Sequence, residues 1–194
     1  MPADTMGHVQ WKAGTMVYPA PAVLVSCGSR PGRTNLFTVA WTGTVCTNPA
    51  MLSISVRPER YSYGLIMEDM QFTVNLTTAA MARATDWCGV RSGRDYDKWK
   101  ETGLTPVPGV GVTCPYIAES PLAIECRVRD VIHLGSHDMF LAEVVGLLAD
   151  EQYIDPDTGA FDMVRAGLMA YVHGGYFELG SKLGHFGFSV RKKN

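Results

Sequence analysis

Apolar residues recur at every second position through much of this chain, and that period belongs to strands rather than helices. In residues 51–57, Leu52, Ile54 and Val56 fall on one side while Ser53, Ser55 and Arg57 fall on the other. Residues 71–77 repeat the pattern, with Phe72, Val74 and Leu76 opposite Gln71, Thr73 and Asn75. Residues 122–129 form the clearest strand of all. Residues 22–26 and 36–41 are strand-like and flank Gly28-Ser29-Arg30-Pro31-Gly32-Arg33, a turn-rich stretch suited to a hairpin. A mostly apolar strand over 139–148 and a weaker one over 168–172 complete the set.

Helical signals are fewer and shorter. Ser62 is placed to cap a helix carrying Leu65, Ile66 and Met67 and ending near Asp69. Thr78 precedes Ala79-Ala80-Met81-Ala82-Arg83-Ala84, all good helix formers after the cap. Asp95 is placed to cap residues 96–101, which Gly103 and Pro106 then close. Strands outnumber helices and do not alternate with them regularly, which argues against a doubly wound parallel sheet. The expected architecture is an antiparallel barrel with helices on its outside and ends. With 46% hydrophobic and 19% charged residues in a chain of 194, one core is expected, and no linker or repeat divides the sequence.

A net charge of −2 argues against a protein that coats nucleic acid. The basic run Arg191-Lys192-Lys193 reads as a solvated tail. Apolar runs such as 144–149 fall far short of the roughly 18 residues that span a bilayer. Met1-Pro2-Ala3-Asp4-Thr5 does not open a signal peptide. Cys27, Cys46, Cys88, Cys114 and Cys126 are odd in number and contain no Cys-x-x-Cys, which supports neither a disulfide framework nor a zinc knuckle. These features together read as a cytoplasmic chain with reduced thiols.

Common motifs are missing or incomplete. There is no phosphate-cradling Gly-x-x-x-x-Gly-Lys-Ser/Thr, and Gly109-Val110-Gly111-Val112 lacks the third glycine and helix of a dinucleotide fingerprint. Asp155-Pro156-Asp157-Thr158-Gly159 reads as a hairpin turn rather than a calcium loop, because proline separates the first carboxylates and no terminal Glu follows. His133 and His137 have metal-binding spacing for a helix, but Gly135 and strand-like flanks remove them from a helical face, and no metal is expected.

Chemistry concentrates between Asn35 and Thr77. The polar side of the 51–57 strand delivers Ser55 and Arg57, Pro58 ends it, and Ser62 opens a helix. A helix start beside a hydroxyl and a guanidinium suits a phosphate monoester. Upstream, Asn35-Leu36-Phe37-Thr38-Val39-Ala40-Trp41-Thr42-Gly43-Thr44 joins an aromatic to small residues that let backbone amides approach a flat heterocycle. A core tryptophan at a strand end is the plainer alternative.

Taken in order, Asn35…Thr38-Val39-Ala40-Trp41-Thr42-Gly43, Asn48-Pro49, Ser55-Val56-Arg57-Pro58…Tyr61-Ser62 and Phe72-Thr73-Val74-Asn75-Leu76 resemble the flavin reductase-like, FMN-binding split-barrel family. The run from Ala84 to Lys98, with Gly103-Leu104-Thr105-Pro106 and Gly135-Ser136-His137, resembles its flavoredoxin-type branch. The resemblance covers residues 15–190. It implies a mainly β fold, a six-stranded antiparallel Greek-key split barrel with a few peripheral short helices, in a single domain over 1–194. It also implies a homodimer with one FMN per subunit. By that resemblance, Asn35 and Trp41 lie against the flavin, and Thr38, Ala40 and Thr42 give it close backbone or hydroxyl contacts. Ser55, Val56, Arg57 and Ser62 line its phosphate and ribityl chain, with Lys98 as a second cation. His137 stands beside the ring and Tyr171 closes the site.

No acid–base pair is needed if FMN carries the chemistry. A flavin reductase would take hydride from NADH or NADPH and pass electrons to an acceptor. A flavoredoxin-like carrier would be fed by a redox protein. A third possibility is a non-catalytic barrel that has lost its flavin, whose mark would be loss of the cations, yet Arg57 and Lys98 are present.

Overall fold

The computed structural model describes residues 7–190. The readings of the first residues and of the basic run at 191–193 lie outside that range. Its strands are β1 (Ala20–Pro21), β2 (Val23–Cys27), β3 (Asn35–Val39), β4 (Thr42–Thr47), β5 (Ala50–Val56), β6 (Gln71–Leu76), β7 (Pro106–Val107), β8 (Tyr116–Ile117), β9 (Leu122–His133), β10 (Asp138–Ala149), β11 (Met169–Val172) and β12 (Gly175–Glu178). The helices are α1 (Tyr61–Asp69), α2 (Ala82–Val90) and α3 (Lys98–Thr102).

The main sheet has seven antiparallel strands in the order β3-β2-β6-β9-β10-β5-β4, one more than expected. The additional strand is β4, whose Thr42-Gly43-Thr44 stretch gives little alternation. It forms because it leaves β3 through Trp41 and returns along β5, with Thr42 opposite Ile54 and Thr47 opposite Ala50. The long β9–β10 hairpin is irregular in two places, between Leu141 and Ala142 and between Val144 and Gly146, where bulges add bend and twist.

Curvature brings the two ends of the sheet onto one core. Phe37 and Val39 from β3 pack in the same cluster as Ile54 and Val56 from β5, together with Val25, Phe72, Val74 and Phe140. Leu65 and Ile66 of α1 close that core. A second cluster covers the outer face of β2 and β3, where Leu24 and Leu36 meet Met81, Cys88, Trp99, Leu104 and Ile117. Strand β2 is therefore buried along its whole length, which is why Val-Leu-Val-Ser-Cys shows no alternation of exposure.

Strand β6 departs from the half-buried reading. Thr73 and Asn75, expected on a solvent face, are fully buried beneath the segment that carries β7 and β8. Asn75 Nδ2 donates to the Leu24 carbonyl at 3.0 Å, and its Oδ1 accepts from the Ile117 amide at 2.8 Å. Hydrogen bonding makes this burial of an amide tolerable.

Two helix starts differ from expectation. Arg60, in extended conformation, precedes the first turn of α1, so Ser62 lies inside the helix and does not cap it. Asp97 rather than Asp95 caps α3, accepting from the amides of Trp99 and Lys100, and Gly103 ends the helix at φ 70°. Ala79–Met81 forms a 3-10 turn leading into α2, and Thr78 makes no capping bond.

The weak motifs resolve into turns. Asp155 Oδ1 accepts from the amides of Asp157 and Thr158 at 3.0 and 2.8 Å. The amides of Val110 and Gly111 donate to the two oxygens of buried Glu125 at 2.7 and 2.8 Å, so an internal carboxylate holds that loop. Cys27, Cys88, Cys114 and Cys126 are buried, and burial raises each thiol pKa, to about 11 for Cys88 and Cys114. Such thiols are poor nucleophiles. No described helix is long and apolar enough to cross a membrane.

Candidate functional site: a two-ended cleft

Where β3 and β5 approach each other beside α2, the surface opens into two adjoining clefts of about 420 and 400 Å³. Both share Phe37, Thr38, Arg57, Arg60 and Gly89. Each volume falls in the usual range for small-molecule sites, about 300–1,000 Å³.

The first cleft is the flatter and more aromatic. Ala40 and Trp41 form one wall as the chain leaves β3, and Ser55 and Val56 enter from β5. His137 arrives from the turn between β9 and β10, and Tyr171 from β11. Tyr171 sits in an aromatic row, its ring centroid 6.0 Å from Tyr18 and 5.6 Å from Tyr176, while Tyr18 lies 6.2 Å from Trp41. His137 Nδ1 is 2.9 Å from Ser136 Oγ. Partial burial, then the nearby Arg57 charge, hold its pKa below the ordinary histidine value, so the ring is neutral at pH 7.

The second cleft is cationic. Arg57, Arg60, Arg91, Arg94 and Lys98 line it, against one carboxylate, Glu59. Asn35 and Ser62 form its floor, and Asn35 Nδ2 donates to Ser62 Oγ at 2.8 Å. Ser62 lies at the second position of α1, past the capping position, and its hydroxyl instead ties the helix start to β3. Strand β5 ends at Val56, so Arg57 lies just beyond the strand rather than on its polar face. Its side chain is 53% exposed and stands 3.6 Å from Glu59.

Lys98 is the exceptional group. It is 3% exposed, yet among the described residues it has no carboxylate partner within 4.0 Å. Its Nζ donates to the Cys88 carbonyl at 2.7 Å. Burial, opposed in part by neighbouring groups, lowers its pKa to about 8. A buried ammonium without a counter-ion is costly, and an anion entering the cleft would relieve it.

Close packing shapes this end. A Cβ on Gly93 would lie 2.2 Å from Asn35 Oδ1 and 2.9 Å from the Tyr61 ring, and one on Gly89 would lie 3.3 Å from Thr38 Cβ. Glycine at these positions lets the 89–93 segment approach β3 and leaves the cleft open.

Of the residues expected at a site, Asn35, Thr38, Ala40, Trp41, Ser55, Val56, Arg57, Ser62, Lys98, His137 and Tyr171 line the two clefts. Thr42 does not; it opens β4 and faces a separate depression with residues of the 14–21 segment. The Thr38 hydroxyl is committed to the Thr85 carbonyl of α2, which leaves its backbone for any ligand. Sequence reasoning missed Arg60, Asp86, Gly89 and the Arg91–Arg94 stretch, and also Tyr176. Tyr176 donates to Asp86 at 3.4 Å, and burial followed by that carboxylate pushes its pKa up to about 12. The signal available for the arginines was the run Arg91-Ser92-Gly93-Arg94 directly after a helix.

A model of the flavin reductase like domain matches residues 15–180. The chain belongs to that family. The flavoredoxin of Desulfovibrio vulgaris (Miyazaki F) is similar in structure, with a TM-score of 0.87 and 31% identity over 95% of this chain and 100% of that one. An uncharacterized protein of Aeropyrum pernix is 33% identical over 129 residues, 66% of this chain and 49% of its own. An NADPH-flavin oxidoreductase of Streptomyces viridifaciens is 29% identical over 115 residues, 56% of each. This chain therefore spans about half the length of these two relatives.

Proposed function

We propose that the protein binds FMN across the two clefts and transfers electrons through it, taking hydride from NADPH or NADH and passing electrons to an acceptor. The observation that carries this reading is Lys98, a buried cation with no carboxylate partner among the described residues, at the floor of an arginine-lined cleft and directly beside a cleft with aromatic walls. A terminal phosphate of charge about −1.5 to −2 supplies the counter-ion that Lys98 lacks. The residues fit a mononucleotide better than FAD, because one cationic end adjoins one ring-sized cleft and no second glycine-rich turn is present for a pyrophosphate.

Each group has a distinct task. Lys98, Arg57 and Arg60 attract and hold the phosphate, and the first-turn amides of α1 add a favourable helix end. Asn35, fixed by Ser62, offers its remaining polar capacity at the floor of the second cleft. Trp41 and Tyr171 exclude water from the ring, and neutral His137 can hydrogen-bond to it without adding charge. FMN, when bound, supplies the acceptor of a hydride equivalent.

A second reading is favoured by the flavoredoxin similarity, which extends over 95% of the chain: a carrier reduced by a redox protein. Reduction of the loaded protein by NADPH or NADH under anaerobic conditions separates the two. Either way the subunit is proposed to pair. Val17, Leu183 and Phe186 stand almost fully exposed on segments flanking the barrel, an arrangement that a second copy would cover. The first test is colour: purified protein should show an oxidised-flavin spectrum, and heat should release FMN. Release of FAD, or failure to take up either flavin, refutes the cofactor assignment.

A further inference from the structure

The cationic cleft holds more charge than one phosphate requires. Arg57, Arg60, Arg91, Arg94 and Lys98 stand against Glu59 alone, a net of four positive charges, while a monoester dianion neutralises two. The surplus is spatially organised. Lys98 is at the floor, Arg57 is drawn toward Glu59, and Arg91 and Arg94 occupy the exposed rim on the loop that follows α2. Neither rim arginine has a carboxylate within 4.0 Å among the described residues, although Asp95 and Asp97 are nearby in sequence. Asp97 is occupied as the cap of α3. The Arg91 guanidinium is parked over the Tyr96 ring, 5.6 Å from its centroid, and Arg94 reaches the Glu59 carbonyl at 3.4 Å. The first contact steadies a cation at the mouth of the cleft, and both guanidinium planes retain donors for a phosphoryl group.

We propose that Arg91 and Arg94 form a second anion subsite that recognises the 2′-phosphate of NADPH, making this the preferred donor over NADH. The proposal rests on the FMN reading of the same cleft, since it assumes that Lys98 and Arg57 are taken by the flavin phosphate. Guanidinium groups suit a terminal phosphate because they offer paired donors in one plane, and an arginine is the general means of accommodating a 2′-phosphate. Their exposed position also suits a donor that must enter and leave, whereas the buried lysine suits a resident group.

The test is a calorimetric titration of FMN-loaded protein with adenosine 2′,5′-bisphosphate and with 5′-AMP, in wild type and in Arg91→Gln/Arg94→Gln. The bisphosphate should bind wild type at least tenfold tighter than the monophosphate. The double variant should lose that margin while its FMN affinity stays within threefold of wild type. Equal binding of the two nucleotides to wild type overturns the subsite. A tenfold loss of FMN affinity in the double variant also overturns it, by assigning the arginines to the flavin phosphate. Failure of wild type to take up FMN defeats the cofactor reading instead, and the subsite falls with it, because Lys98 and Arg57 are then open to either phosphate.

Discussion

Replacing Lys98 by Met should separate the electrostatics of the cleft from its shape. Met keeps most of the buried stem and removes the charge. In the free protein, burial lowers the Lys98 pKa from 10.5 to about 8, a penalty on the charged form of about 3 kcal/mol. A phosphate at contact distance reverses that penalty, so binding draws a proton onto Lys98 whenever the free group is neutral. The sign follows: below pH 8 the lysine is already charged and affinity is level, whereas above it each pH unit weakens binding by up to about tenfold. At pH 9.5 the loss should reach about thirtyfold relative to pH 7. The variant should bind FMN about ten to a hundred times more weakly at pH 7, the value of a charge-assisted contact, and should lose the step above pH 8.

Flavin fluorescence quenching measures both effects across pH 7–9.5. Stability must be followed in parallel, because the variant leaves the Cys88 carbonyl without its donor. That loss, about 1–3 kcal/mol, opposes the gain from removing a buried charge, so the flavin-free variant should lie within about 2 kcal/mol of wild type at pH 7. The stability effect has its own pH sign. A lysine whose folded pKa is depressed destabilises the fold below pH 8, and this cost fades as pH rises toward the unfolded value. A wild-type affinity that stays flat from pH 8 to 9.5, or a variant that binds FMN normally at pH 7, refutes the role given to Lys98.

Arg57→Ala should weaken FMN binding by about three- to tenfold, less than Lys98→Met, because the guanidinium is half exposed and shared with Glu59; its unfolding midpoint in urea should not move. Gly93→Ala places a methyl against the anchored Asn35 side chain, and should cost about 1–3 kcal/mol in urea unfolding as well as impair FMN uptake. Sedimentation velocity should find the proposed dimer, and if the clefts lie at the seam between copies FMN should tighten it, because a ligand at such a seam is linked to association. A monomer that holds FMN tightly at low concentration contradicts that arrangement.

How much of this was legible in the sequence depended on whether a feature was local. The apolar side of β5, Leu52-Ile54-Val56, and its polar neighbours Ser53 and Ser55 appear in the structure with that alternation of burial. The hairpin around Gly28 pairs β2 with β3 as its turn residues demanded. Strand β6 was read as half-buried because nothing near it announces the cover supplied by residues some forty positions later: Asn75 meets Ile117 across a separation of 42. Its amide network makes a polar residue look solvent-facing to any alternation rule. Ser62 was misread for a similar reason. A serine near a helix start normally caps it, but here the helix begins at Tyr61, one residue earlier, and the Ser62 hydroxyl accepts from Asn35, 27 residues upstream.

The same distinction explains the candidate site. Asn35, Trp41, Ser55 and Arg57 belong to one stretch of chain and could be grouped before any fold was known. The groups that complete the clefts come from α2, from the loop after it, and from the β11–β12 hairpin. They converge because α2 and α3 must cover the outer face of β2 and β3, burying Cys88 and Trp99 against Leu24 and Leu36. That packing turns Gly89 toward Thr38 and carries Lys98, adjacent to Trp99, into the interior. Lys98 is thus buried by the apolar demand of its neighbour rather than by any affinity of its own for the core. A buried cation at the edge of a cleft is poised for an anion before one arrives, so packing outside the barrel and the proposed binding at its mouth would follow from one arrangement of helices.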